Sequence, residues 1–264
     1  MSKKELEKKE TTALALAADM EADAGLGYEN LDPESQTVPY IIIAQSLTPV
    51  ANPSHEKYIE GARPGMFFNT VTEELFPGDV GLFVIPCGYK RVYAEWERGE
   101  SGEYITTLDP TDPKVQGATF IKNTSTSKKE FITREDTRLV DTRYHACLVS
   151  ADGENYTPVM IKFRSTQINK SKQWNTIQAN CRSKNAKGEA IKVAPWWQLY
   201  KLTTAKESKD KNTWYGFKID FQGFVENKEL ANIGREFNAS VVGGGVVVKD
   251  ENHDVDIETE PAPF

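Results

Sequence analysis

The chain has 264 residues, 27% of them charged and 39% hydrophobic, with a net charge of −7, so it is long enough for a sizeable core and polar enough to carry extensions beyond it. No apolar run is long enough to span a bilayer, and the N-terminal MSKKELEKKE lacks the apolar stretch of a secretory signal. Three widely spaced cysteines, Cys87, Cys147 and Cys181, exclude a disulfide framework, and together these features lead to the expectation of a soluble cytoplasmic protein.

Residues 1–37 read as an arm. Leu6, Ala13, Leu16, Ala17, Met20 and Ala24 recur at roughly helical spacing, and Gly25 and Gly27 end the pattern. The apolar face is mostly alanine, too thin for a core of its own. A docking helix, a partly disordered arm and a self-association segment all fit.

The core is expected over residues 38–242. Val38 to Ile43 forms a strand, and a shorter one runs from Met66 to Thr72. Val80 to Trp96 is the longest strand signal, bent at Pro86-Cys87-Gly88, the kind of kink that curls a sheet towards a barrel. Beyond the bend, Tyr89, Arg91 and Tyr93 share one face by the period of two. Residues 99–138 are a polar insertion with short strands near Tyr104 and Phe120. Thr142 to Ser150 is a strand, Asp152-Gly153 a hairpin turn, and Tyr156 to Arg164 the return. On the return Val159, Ile161 and Phe163 face the core, leaving Lys162 and Arg164 outward.

Ser165 is the expected N-cap of a helix to about Arg182, with Ile168, Trp174, Ile177 and Cys181 on or near one face. Ser183 to Glu189 is a basic loop. Trp196 to Leu202 and Thr213 to Val225 are strands. In the second, Tyr215, Phe217, Ile219 and Phe221 are expected in the core, with Trp214, Lys218 and Gln222 outward. Glu226 to Ala239 closes the core as a helix with Leu230, Ile233 and Phe237 on its apolar face.

Charge is segregated along this chain. Lys162 to Lys206 holds ten basic side chains against one acid, Glu189, interleaved with Phe163, Trp174, Trp196, Trp197 and Tyr200. Cations among flat rings suit a polyanion with exposed bases. Tyr89 and Tyr93 either stack on such a ligand or pack inward, and Trp214 either stacks or caps a barrel. The glycines at 243–245 form a hinge, and they lack the following lysine of a phosphate loop. Asp250 to Phe264 has six acids and no Lys or Arg, and ends Glu260-Pro261-Ala262-Pro263-Phe264, a composition that reads as a disordered tail. His145 and Cys147 sit two apart without further ligands at metal-site spacing, and no nucleophile elbow, HExxH or zinc-deaminase pattern is present.

A basic, ring-bearing, β-rich centre followed by an acidic tail ending in Phe264 resembles bacterial and tailed-phage single-stranded DNA-binding proteins. Arg63 to Asn69 with Tyr89 to Trp96 look phage-like. The resemblance implies a β-rich α+β fold with an OB-like barrel, and a role in DNA replication, recombination and repair. It also implies recruitment of partner proteins through the tail by Asp254, Asp256, Glu258, Glu260 and Phe264. Phosphate contacts are then expected from Arg91, Lys162, Arg164, Lys170, Lys172, Arg182, Lys184, Lys187 and Lys218. Stacking is expected from Tyr89, Tyr93, Trp174, Trp197 and Trp214. No catalytic residue, cofactor or metal is called for, and a homo-oligomer is possible. A DNA-processing nuclease and a virion or scaffold protein are the alternative readings.

Overall fold

Runs of β-branched and aromatic residues set the strands, and a computed structural model, describing residues 37–98, 102–123, 129–209, 212–243 and a few earlier positions, joins most of them into one sheet. In chain order the elements are β1 Tyr40–Ile43, β2 Phe67–Asn69, β3 Leu75–Phe76, β4 Leu82–Trp96, β5 Tyr104–Leu108, α1 Pro113–Gln116, β6 Thr119–Lys122, β7 Lys129–Ile132 and β8 Arg138–Ser150. There follow β9 Thr157–Arg164, α2 Ile168–Asn180, β10 Arg182–Lys184, β11 Ala190–Lys192, β12 Gln198–Lys209, β13 Asn212–Phe224 and α3 Lys228–Val242. Internal contacts divide the chain between Thr37 and Val38. The N-terminal arm and the tail from Gly244 to Phe264 lie outside the described residues, apart from the few positions noted.

The large sheet has 11 strands in the order β13-β12-β4-β8-β9-β1-β2-β3, with β5 added on β4 and the β6–β7 hairpin on β8. A bulge between Pro86 and Gly88 bends β4 where the Pro-Cys-Gly sequence places it. The sheet curls into a half-barrel, and its two ends meet. Phe67 of β2 lies 6.0 Å from Phe217 of β13, ring to ring. The side-chain amide of Gln45 donates to the Tyr215 carbonyl at 2.9 Å and accepts from its N–H at 2.8 Å, standing in for a neighbouring strand. Gly65, at φ +92°, lets this crossing happen, because a Cβ there would sit 2.6 Å from the Tyr215 ring. The fold is β-rich α+β, an OB-like curled sheet with three helices among the described residues.

The period of two gives the sheet two buried faces. Cys147, Val149, Val159, Ile161, Phe163, Tyr200, Leu202 and Phe217 fill the inside of the curl, plugged by Trp174 of α2. Ala146, Leu148, Met160 and Tyr144 face the other way, under Phe237 and Val241 of α3.

Several expectations change. Ser165 is not an N-cap: it opens a 3-10 turn at φ +46°, and the α-helix starts at Ile168. The inward stripe of α2 holds only one large apolar side chain. Trp174 shares it with Ser171, while Ile177 is 44% exposed. Polar bonds replace the missing apolar contacts, with Ser171 on His145 at 2.8 Å and the Gln178 carbonyl accepting from Gln198 at 3.2 Å. The basic loop is a β-hairpin, β10–β11, with Gly188 in its turn at φ +80°. Phe221 lies opposite buried Tyr200, ring to ring at 5.4 Å, but is 45% exposed instead of entering the core, and a bulge just beyond it shifts the register of Leu199 with β13. Ile233 is likewise outside, at 49%, and Ala231 and Gly234 take the buried positions of α3.

Candidate nucleic-acid interface

The expected ladder is present on the inner face of β4, past the core. Tyr89, Arg91 and Tyr93 stand directly opposite His145, Arg143 and Asp141 of β8. Tyr89 is 42% exposed, its ring edge-on to His145 at 5.1 Å. Arg91 makes two bonds to one carboxylate, Nε to Asp141 Oδ1 at 3.0 Å and Nη2 to Oδ2 at 2.8 Å. The same Nη2 donates to the Tyr93 hydroxyl at 2.6 Å, and the guanidinium carbon lies 5.1 Å from the Tyr93 ring centre. Asp141 also accepts from Arg143 at 3.3 Å. The hydrogen bonds that Arg91 donates to Asp141 hold it above the ordinary guanidinium range, and burial followed by the Asp141 charge pushes Tyr93 up.

Two residues missing from the expected site extend it. Phe131 of β7 packs 5.6 Å from Tyr93, and Phe120 of β6 stacks on Phe131 at 4.7 Å, tilted by only 29°. Phe120 is 69% exposed, more than any ring in the barrel. The rings therefore run Phe120–Phe131–Tyr93 from β6 and β7 over β8 to β4, and continue along β4 through Arg91 to Tyr89. The sequence did hold a signal: Phe120 and Phe131 sit in matching places of a polar hairpin (Thr-Phe-Ile-Lys and Lys-Glu-Phe-Ile) with no core to bury them.

The helix beside Tyr89 carries the basic part. Lys172 of α2 is exposed, and α2 leads into the β10–β11 hairpin, where Arg182, Lys184 and Lys187 are exposed. Arg182 donates to the Ala179 and Cys181 carbonyls at 2.9 and 3.1 Å, capping the helix end. Arg182 stands directly across from Lys192.

Other expected contacts lie elsewhere. Trp174 is fully buried, stacked on His145 at 4.6 Å, so it supports the platform and cannot take a base. Burial, with Arg143 beside it, pushes the His145 pKa down to about 3, so the ring under Tyr89 is neutral. Trp197 packs into the α3-side core, away from the ladder. Trp214 is half-buried with its indole N–H on Glu207 at 2.9 Å, and Lys170 pairs with the same carboxylate at 3.0 Å. Lys162 and Arg164 project from the face of β9 opposite Phe163. Lys162 lies over Tyr40 and is pulled well below the lysine range by burial, with Arg164 adding to it; Arg164 lies over Trp96 and bonds Thr142 at 3.2 Å. Their side of the sheet is covered, so "outward" in the alternation does not mean solvent here. Lys218 is exposed and paired with Asp220 at 2.9 Å, on the side of β13 away from Phe217. The tail residues Asp254, Asp256, Glu258, Glu260 and Phe264 lie outside the described residues.

A family model described as Pam3 phage gp34-like protein matches residues 8–247. The chain belongs to that family. Its name makes this a phage-associated protein. No curated protein and no solved structure matches the chain. Among the described residues, no helix is long and apolar enough to cross a membrane, and no three His, Cys, Asp or Glu side chains group to hold a metal.

Proposed function

We propose that this protein binds single-stranded DNA without sequence preference, in phage DNA replication, recombination and repair, and that it does so as a binding protein and not an enzyme. The observation that carries this reading is the unbroken row of rings on the inner face, Phe120–Phe131–Tyr93, with Arg91 and Tyr89 beyond it and exposed rings at both ends. Every base offers a flat face, so stacking on such a row is indifferent to sequence, at about 1–3 kcal/mol per base. A duplex hides those faces. Lys172, Arg182, Lys184 and Lys187, exposed on α2 and its hairpin, supply the phosphate contacts. The acidic segment from Asp250 to Phe264 recruits partner proteins by an aromatic anchor beside negative charge.

Fluorescence anisotropy with labelled oligonucleotides, single-stranded and duplex, at several salt concentrations tests this. The expected result is binding to single strands over duplex that weakens steeply with salt, through release of cations from the strand. Equal binding to both forms, or affinity indifferent to salt, overturns it. Loss of the strand on adding magnesium overturns the non-catalytic part.

A further inference from the structure

The carboxylate at the centre of the inner face is out of place if that face only attracts anions. Asp141 sits among Tyr93, Arg91 and Arg143, where its charge repels a phosphate backbone. Its geometry suggests another task. It takes the Nε–Nη2 edge of Arg91 with both oxygens, and the Tyr93 hydroxyl takes a further bond from the same Nη2. Three bonds in the guanidinium plane fix the orientation of that plane. A guanidinium used as a point charge needs no such restraint, and one used as a flat surface does.

We infer that Asp141 is a positioning residue of this platform, aiming the Arg91 guanidinium as a planar stacking surface for an unpaired nucleobase between Tyr93 and Tyr89. The inference rests on the single-strand reading above and names what Arg91 recognises: a base face, not a phosphate. The Asp141 bonds strengthen the cationic form of Arg91, and Arg143, almost buried, gives the carboxylate a second anchor. The aim is therefore set before any ligand arrives.

The two roles predict opposite signs. If Arg91 meets phosphate, Asp141→Asn removes a repulsive charge and tightens binding. If Asp141 aims a stacking plane, Asp141→Asn loosens it and binding weakens about fivefold despite the gain in positive charge. Arg91→Lys is the companion variant, because Arg91 is partly exposed and its replacement leaves the core untouched. It keeps the charge and loses the plane. The expected result is a loss of about tenfold, close to that of Arg91→Gln, with the salt slope of Arg91→Lys unchanged from wild type. Affinity equal to or above wild type in Asp141→Asn, or wild-type affinity in Arg91→Lys, overturns this inference alone. Wild-type protein that binds no oligonucleotide brings down the functional reading with it.

Discussion

Along β8, Asp141, Arg143 and His145 look into the curl, while Thr142, Tyr144 and Ala146 look the other way. Both faces carry rings and cations. On the inner face, Tyr89, Arg91 and Tyr93 meet Phe131 and Phe120 and reach solvent. On the other, Lys162 and Arg164 lie over Tyr40 and Trp96, and Tyr144 is fully buried. The composition is similar, and cover is what differs. The core-side packing of α3, with Trp196 and Trp197, occupies much of the second face. A ring next to a cation marks a binding surface only where nothing of the chain's own already sits on it.

The contrast is testable, beginning with what supports the inner face from beneath. Trp174→Ala empties a fully buried site shared with His145, Phe163 and Tyr200, and should cost about 3–5 kcal/mol, read as a drop in the urea midpoint. Acid should attack the same place. His145 is neutral in the native protein down to about pH 3, whereas unfolding frees it to take a proton below its ordinary 6.5. Its contribution is fully present above that value and falls as pH drops, by at most about 1.4 kcal/mol per pH unit. Urea titrations at pH 7 and pH 5 should show this slope, and His145→Gln should flatten it.

At the exposed end, Phe120→Ala should weaken single-strand binding by about tenfold while leaving the melting temperature nearly unchanged, since the ring is mostly in solvent already. Lys184→Glu with Lys187→Glu should reduce the salt slope of binding by about 0.7 per lost phosphate contact, read from titrations across salt. Lys162→Gln, on the covered face, should leave the affinity unchanged. Among the stability effects the smallest belongs to Lys218→Ala, whose exposed pair with Asp220 should contribute under about 1 kcal/mol, read as a small shift in the urea midpoint.

What the amino-acid order determined by itself was the local pattern. The Pro86-Cys87-Gly88 bend, the alternation of Val159, Ile161 and Phe163, and the shared face of Tyr89, Arg91 and Tyr93 all follow from a period of two and from backbone restrictions, which are short-range. What only tertiary structure decided was which faces stay open. Trp174 fills the barrel mouth because α2 is held by polar bonds from Ser171 and Gln178, which carry no hydrophobic periodicity. Phe221 keeps the inward alternation, directly opposite buried Tyr200, and is still 45% exposed, because cover on the edge strand β13 is set by what packs against it. Phe120 and Phe131 join the ladder because β7 pairs with β8, a contact between segments whose sequences do not announce each other. Exposure is a property of what packs against a residue from far along the chain, and no local pattern encodes it.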